Sequence, residues 1–451
     1  MIMATKVALS IAGSDSSGGA GIQADLKSFA YLDVHGTSVI TCVTAQNTQQ
    51  VNAIFKVPIE NITQQLESIL QDFPVAAVKT GMLYDKEIVT CVASQLKEHH
   101  LKPVVDPVMT ATSGESLSHH SFVTALKKEL LPHTFMVTAN VPEACILTGI
   151  KITTRKEVKL ACKKISDLGS AYVLLKGGHF QEDIVVDVLY DGKQYHQFLL
   201  PHIPNRKAHG SGCTLSALIT GFLARGETPE DAVQKAKAIV WGMINEGYSP
   251  GKGADVLNHS RTIQVPPPIR THEHIQVWLA LTTAVQQLLC VLPPWFIPEV
   301  GLNFVYALPN ATSRDQICAV DGRITKHKGK THLFGTIDFG VSKHVASIVL
   351  AAMTFNPTMR SALNIRYSQK TIDLCKAIGH VVGNFDRKDE PPGISSTMEW
   401  GTQQVITTLG RVPDVIYDTG DMGKEPMIRI LGKDPEDVLI KIQNIVSTSL
   451  A

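Results

Sequence analysis

From Lys6 to about residue 247 the chain repeats one rhythm: short β-branched runs at 7–12, 39–44, 75–80, 103–108, 135–138 and 171–176 alternate with amphipathic segments such as 62–73, 87–99 and 155–168. Strand-sized apolar runs separated by segments of helical period leave few solutions, and the simplest is a mainly parallel sheet with helices on both faces. Such α/β sheets gather their ligands beyond the carboxyl ends of the strands, so functional side chains are expected in the strand-to-helix loops. Asp191-Gly192, set between runs at 185–190 and 194–200, predicts a hairpin near the sheet edge and a second layer of antiparallel strands there.

The rhythm breaks between residues 249 and 270, where Ser-Pro-Gly-Lys-Gly and then Pro266-Pro267-Pro268 suit an extended connector. A chain of 451 residues also exceeds what one hydrophobic core usually supports. Two domains are therefore expected, 1–260 and 273–451, with a linker over 261–272. The second opens with a helical run at 274–292, stopped by Pro293-Pro294, and continues as a smaller α/β pattern.

Composition excludes several function classes. A formal net charge of +1 offers no basic excess for holding nucleic acid. Residues 1–12 lack a signal-like apolar region, and the apolar stretch at 345–355 falls well short of the roughly 18 residues of a membrane span, so it reads as a buried helix. A cytoplasmic protein with no membrane partner is expected. Eight cysteines stand singly, with no CxxC pair, as free thiols do. Most should be small core residues.

Cys213 is set apart from that default. It closes the loop His209-Gly210-Ser211-Gly212-Cys213-Thr214, just before the helical run 215–225, where outward-pointing N–H groups and the helix dipole favour an anion. Such a loop suits a phosphoryl group in flight, and a thiol there is expected to have a lowered pKa, fit for a base acting on a primary alcohol. A helix cap with a buried thiol would give the same local sequence. At the other end of this region, Gly13-Ser14-Asp15-Ser16-Ser17-Gly18-Gly19-Ala20-Gly21 follows a strand and opens a helix, with a carboxylate at Asp15. Alone it is equally readable as a flexible turn.

Seven ordered motifs change the weight of these two loops. Residues 12–25, Thr44-Ala45-Gln46-Asn47-Thr48, Lys79-Thr80-Gly81-Met82-Leu83, Asp106-Pro107-Val108-Met109, Asn140-Val141-Pro142-Glu143-Ala144, Lys176-Gly177-Gly178-His179 and the Cys213 loop resemble the hydroxymethylpyrimidine and phosphomethylpyrimidine kinases of the ribokinase-like superfamily. The resemblance runs from residue 6 to about 258. It implies an aminopyrimidine bound by Gln46, with Gly13, Asp15 and Met82 in the same pocket. It also implies ATP and Mg2+ near Asp106, Asn140 and Glu143, a nucleotide site along Lys176, Gly177 and His179, and an anion hole of Gly210, Ser211 and Gly212. A homo-oligomer, possibly a dimer through the kinase domain, follows from the same resemblance. The sequence departs from the family at Thr112, where a lysine is usual, at Ala139 for proline and at Ser211 for threonine. The missing lysine removes one cation expected near the phosphates.

Beyond residue 274 polar and cationic residues gather in Val320-Asp321-Gly322-Arg323-Ile324, in 340–346, in 360–367 and in 420–426. Guanidiniums recognise diphosphate in a bidentate way, which makes Arg323, Arg360, Arg366 and Arg387 anion-site candidates, although each alone would equally serve a surface ion pair. These segments, with 297–303, Phe385-Asp386-Arg387, Met398-Glu399-Trp400-Gly401 and Tyr417-Asp418, resemble the ThiN-type thiamine-phosphate synthase domain over about 275–448. The resemblance implies that a pyrimidine diphosphate and a thiazole phosphate are joined with release of pyrophosphate. Arg323 and His344 are then the expected catalytic cationic donors, and Asn364, Arg366, Asp386, Arg387, Glu399 and Lys424 further substrate contacts. Two alternatives stand beside this reading. One is a kinase for pyridoxal or a sugar, against which Gln46 and Cys213 argue; the other is a thiamine-phosphate sensor in the second half, against which the lack of a helix-turn-helix argues.

Overall fold

The computed structural model describes residues 5–109, 120–180, 182–204, 206, 208–260, 263–269, 271–394 and 396–450. Thr112 lies outside them. The chain divides into two compact units, Met1–Pro268 and Ile269–Ala451.

In the first unit β1 (Val7–Asp15), α1 (Gly21–Tyr31), β2 (His35–Gln46), β3 (Val51–Lys56), α2 (Ile59–Asp72), β4 (Val75–Thr80), α3 (Lys86–Glu98), β5 (Val104–Val105), α4 (His120–Ala125), β6 (Met136–Asn140), α5 (Val141–Thr148), α6 (Arg155–Ser166) and β7 (Tyr172–Lys176) follow the expected alternation. The hairpin β8 (Ile184–Tyr190) and β9 (Tyr195–Pro201), the short β10 (Ala208–His209), α7 (Ser211–Ala224), α8 (Pro229–Asn245) and β11 (Asp255–Val256) complete it. The main sheet has the order β3-β2-β1-β4-β5-β6-β7-β8-β9. β2, β1, β4, β5, β6 and β7 are parallel, while β3 and the hairpin run antiparallel at the two edges.

Two expectations change. The hairpin prolongs the main sheet and builds no second layer, because β8 pairs directly with the open edge of β7, Val173 opposite Tyr190. Asp191 fixes its turn by accepting from the Lys193 and Gln194 N–H groups. The run at 103–108 pairs as a strand only over Val104–Val105, since Pro103 and Pro107 have no N–H to donate to a ladder.

Successive residues of the central strands face opposite cores, as a period of two requires. Leu9, Ile11, Val105, Val137, Val173 and Leu175 meet α2, α3, α5 and α6 on one face; Ala8, Val104, Met136 and Leu174 meet α1, α7 and α8 on the other. Each fully buried leucine or isoleucine contributes about 1.5–3 kcal/mol. Rigidity bought this way is what lets loop residues at the strand ends hold fixed positions.

The second unit contains α9 (His272–Val291), β12 (Phe304–Ala307), β13 (Ile317–Val320), β14 (Arg323–His327), β15 (Lys330–Phe334), β16 (Ile337–Phe339), α10 (His344–Phe355), β17 (Ser361–Arg366), α11 (Gln369–Ala377), β18 (Val382–Asn384), α12 (Thr397–Leu409), β19 (Val415–Asp418), β20 (Met427–Gly432) and α13 (Pro435–Leu450). Its sheet has the order β16-β13-β12-β17-β20-β19-β18 and is antiparallel except between β18 and β19. β14 and β15 form a separate ribbon. α10 is the buried helix expected at 345–355. Among the described residues α9 is the one helix long and apolar enough to cross a membrane. Here it buries Ile275, Trp278, Leu281, Val285 and Leu288, with Trp278 Nε1 donating to the Ile337 carbonyl at 3.2 Å.

Candidate active sites

A cavity of about 400 Å3 opens at the carboxyl ends of the parallel strands of the first unit. Gly13, Asp15, Gln46 and Met82 line it from the β1, β2 and β4 ends, and Asp106, Asn140, Glu143, Lys176 and His179 from the β5, β6 and β7 ends. The turn Gly210-Ser211-Gly212-Cys213, which starts α7, lines it as well. This turn touches both sets. His209 Nε2 lies 3.2 Å from Asp15 Oδ2 and 2.9 Å from Gln46 Nε2, while a Cβ on Gly212 would stand 3.4 Å from Lys176 Nζ and 3.6 Å from Asp106 Oδ2. Gly210 has φ of +87°, and a Cβ there would lie 1.9 Å from the Gly19 carbonyl oxygen, so only glycine lets the two loops meet.

The Asp15 carboxylate accepts from the Ser17, Gly19 and Ala20 N–H groups and from the Ser17 hydroxyl, so it is spent in building the glycine-rich turn. Burial works to raise its pKa, but the bonds from His209, Ser17 and Ala20 outweigh that and hold it down at about 2. Lys176 Nζ lies 3.2 Å from Asp106 Oδ1 and 3.9 Å from Glu143 Oε2. Burial pushes Glu143 up to about 7, Lys176 opposing and Asp106 reinforcing. Asn140 and Glu143 also form the capping box of α5, each side chain accepting from the other's backbone N–H.

Cys213 corrects one expectation. Its thiol is pushed up to about 11: burial is the main cause, and Asp25 and Asp106 reinforce it against Lys79 and the Gly21 N–H. The helix start, which favours a thiolate, is outweighed by the low-dielectric floor of the cavity. Gly177 is a second departure. It stands outside this cavity, donating its N–H to Asp187 Oδ1 at 2.8 Å, and it is glycine because a Cβ would lie 2.0 Å from the Val186 carbonyl oxygen.

His209 and Lys79 also line this cavity, neither with a role expected from sequence. His209 opens the Cys213 loop. Lys79 lies at the cavity floor with Nζ 2.7 Å from both Asp25 oxygens, both side chains 0% exposed, and Asp25 also accepts from Ser10 Oγ at 2.6 Å. Both stood in or beside quoted motifs, but strand alternation alone could not reveal that a lysine faces inward.

The second unit has a cavity of about 500 Å3, lined by Arg323, His344, Asn364, Arg387 and Lys424. Lys343, Arg429 and Glu425 line it too. So do the starts of α10 (Ser342 to Ile348) and α12 (Ser396 to Met398), and two helix N-termini facing one space favour an anion. Arg366, Asp386 and Glu399 lie outside the lining and are exposed: Arg366 ends β17, Asp386 accepts from the Lys388 N–H, and Glu399 sits in the first turn of α12. Arg360 also lies outside, donating to the Ala307 carbonyl and stacking on Tyr306 with 4.5 Å between guanidinium and ring centre.

His344 differs from its expected cationic state. Burial and then the neighbouring cations Lys343, Arg323, Arg387 and Arg314 lower its pKa and so favour the neutral imidazole. Asn364 bridges strands, accepting from the Asn303 N–H at 2.7 Å and donating to the Gly301 carbonyl at 3.2 Å. Asn303, which sequence reasoning left without a role, also lines the cavity. Its Nδ2 donates to the Val320 carbonyl at 2.8 Å, while its Oδ1 is buried with no hydrogen-bond partner among the described residues.

Comparison with known proteins finds a family for each half. Residues 15–258 match the family model of phosphomethylpyrimidine kinase, and residues 280–444 that of thiamine-phosphate synthase ThiN. A bifunctional thiamine biosynthesis protein ThiDN of Methanocaldococcus jannaschii is 33% identical over 444 residues, 97% of this chain and 98% of that one. A hydroxymethylpyrimidine/phosphomethylpyrimidine kinase of Bacillus subtilis is 41% identical over 254 residues, covering 56% of this chain and 94% of its own length. Among solved structures, the pyridoxal kinase of Staphylococcus aureus in complex with AMP-PCP and pyridoxal superposes with a TM-score of 0.54 at 34% identity, over 58% of this chain and 98% of that one.

Proposed function

This chain belongs to the family of bifunctional thiamine biosynthesis proteins in which a phosphomethylpyrimidine kinase precedes a ThiN thiamine-phosphate synthase, and we propose that its two cavities run two stages of one chemical sequence. In the first, ATP phosphorylates 4-amino-5-hydroxymethyl-2-methylpyrimidine to its phosphate and then its diphosphate. In the second, the diphosphate joins thiazole phosphate, giving thiamine phosphate and pyrophosphate. The observation that carries the kinase stage is the turn at the start of α7, which touches Gln46 through His209 and approaches Lys176 and Asp106 through Gly212.

Gln46 reads the aminopyrimidine edge with an amide that both donates and accepts, while Gly13 and Met82 close the pocket. Gly210, Ser211 and Gly212 present N–H groups to the phosphoryl group as it moves. Cys213 takes the proton of the attacking hydroxyl, and Lys79 favours its thiolate against the cost of burial. The carboxylates of Asp106 and Glu143 fit a hard cation that also keeps water and phosphate oxygens, and Mg2+ held there would offset the charge of the ATP phosphates. Lys176, Asn140 and His179 stand along the nucleotide.

In the second cavity Arg323 and His344 meet the charge that grows on the departing diphosphate. His344 enters neutral and gains charge as the anion fills the cavity. The setting of the reading is a cytoplasmic homo-oligomer, a dimer formed through the kinase unit, which light scattering of the purified protein tests.

The direct test supplies the pyrimidine alcohol, ATP, Mg2+ and thiazole phosphate to wild type, Cys213→Ala and Arg323→Ala proteins. Cys213→Ala is expected to stall before the diphosphate and Arg323→Ala to accumulate it. Wild type that binds thiamine phosphate but forms none would leave the second unit a sensor. The likeness to pyridoxal kinase favours a second reading of the first cavity. If kcat/KM for pyridoxal exceeds that for the pyrimidine alcohol, that reading replaces the first; an advantage of about tenfold or more the other way removes it.

A further inference from the structure

The second cavity holds a charged unit centred on Asp418, of which the sequence pointed to a substrate role for Arg387 alone. Asp418, at the carboxyl end of β19 and 0% exposed, accepts from Arg387 Nε at 2.7 Å and Nη2 at 3.2 Å. Its other partners are Arg429 Nη1 at 2.5 Å and the Gly420 N–H at 2.9 Å. Arg429 comes from β20, is 3% exposed, and lies with its guanidinium 5.7 Å from the Phe385 ring centre. Phe385 is fixed in turn: it meets Trp400 edge-on at 6.0 Å, and a Cβ at Gly401 would come within 2.6 Å of its ring.

Two guanidiniums share one carboxylate, so the unit carries one positive charge in excess. Burying charge is costly, and a pair kept only for stability is commonly replaced without loss by apolar residues. A guanidinium beside a cavity has a different use: Arg387 engages Asp418 through Nε and Nη2 and Arg429 through Nη1, which leaves Nη1 of Arg387 and the Nε and Nη2 fork of Arg429 as donors that fit phosphate oxygens. Arg387 and Arg429 both line the cavity, where Lys343, Arg323 and Lys424 add positive charge. The one acid in the lining, Glu425, is engaged by the Glu299 and Val300 N–H groups.

We propose that Arg387 and Arg429, held as a pair by Asp418, form the subsite that grips the diphosphate of the synthase substrate and then the pyrophosphate it becomes. The proposal rests on the synthase reading of the second unit. In that step the bond between the pyrimidine methylene carbon and the diphosphate oxygen breaks and its electron pair leaves with pyrophosphate. The thiazole nitrogen supplies the pair for the new carbon–nitrogen bond, so no proton or redox partner is required. Arg387 and Arg429 touch the leaving group. Asp418 touches no substrate and acts as a positioning residue through them.

The test uses the full-length protein, with pyrophosphate as the probe in calorimetry and steady-state synthase kinetics alongside. Arg429→Lys and Asp418→Asn are expected to raise the Kd of pyrophosphate and the KM for the pyrimidine diphosphate by about tenfold or more. The KM for thiazole phosphate should stay within about twofold, since a merely structural lesion would move both. Near-UV circular dichroism reports whether each variant folds. If Asp418→Asn does not, Arg387→Lys keeps the charge, loses the fork, and should show the same selective loss. Folded variants that bind pyrophosphate like wild type, or that lose only thiazole phosphate affinity, overturn the subsite. Wild type that makes no thiamine phosphate overturns the synthase reading instead, so the two failures are distinguishable.

Discussion

In the kinase step proposed above Cys213 accepts a proton from a primary alcohol, yet desolvation at the cavity wall pushes its pKa up to about 11. In the ligand-free protein its alkylation should therefore be slow near pH 7 and climb toward about pH 11, read site by site in a mass spectrometer. Rapid alkylation at neutral pH would contradict the raised pKa of this half-buried thiol. His344 is displaced in the other direction, below its usual value by burial and four nearby cations. An anion in the cavity offsets those cations, so pyrophosphate should raise its pKa and be bound with uptake of protons. Imidazole proton resonances titrated with and without pyrophosphate check this; no shift between the two curves would count against His344 facing the diphosphate. Lys79 and Asp25 form a buried pair across 54 residues of sequence. Lys79→Met strands a buried carboxylate and should cost about 3–5 kcal/mol in denaturant unfolding, much of it recovered by adding Asp25→Leu. None of this could be read from the chain. The residues were visible in their motifs, but a pKa depends on what burial and distant loops bring beside them.

Among the elements, the start of α7 joins the two sides of the first cavity. Gly210→Ala would place a methyl within 1.9 Å of the Gly19 carbonyl oxygen and force a positive φ on alanine, so it must push α7 and Cys213 out of place. Kinase turnover should fall by about tenfold or more while synthase turnover from supplied diphosphate is kept. Unchanged kinase turnover would show that the loop contact is dispensable. The apolar runs disclosed β4, α3 and α10 to within about a residue of their ends, whereas α7 starts at Ser211, before the expected run at 215, because the glycine loop itself opens the helix. The runs did not disclose which strands adjoin: β17 pairs with β12 and β20, separated from both by other elements. Nor did they tell that the β8–β9 hairpin would extend the main sheet. Apolar length alone misleads as well, since α9 is apolar enough for a membrane but lays its buried face on a sheet. Gln46, Asp106 and Lys176 reached the first cavity. Arg366 at the end of β17, Asp386 in a loop and Glu399 in the first turn of α12 did not reach the second, because a motif names a residue and leaves open which way its side chain points.

At the scale of the whole molecule, two compact units each carry a cavity whose chemistry suits one stage. The product of the first is the substrate of the second, so one chain keeps the two activities in equal amounts. The two units divide at Pro268, within the proline run, although Ile263 of the expected linker packs in the first unit's core and His272 already opens α9; the kinase and synthase were visible as ordered motifs. The arginine pair on Asp418 was not, because Arg387, Asp418 and Arg429 come from three separate elements. The division of labour is tested most directly by mixing two inactive proteins. Cys213→Ala and Arg323→Ala proteins, each alone with pyrimidine alcohol, ATP, Mg2+ and thiazole phosphate, should make no thiamine phosphate, and an equimolar mixture should make it through released diphosphate, followed by phosphorus resonance. Thiamine phosphate from either variant alone at the wild-type rate would contradict the assignment of one stage to each unit.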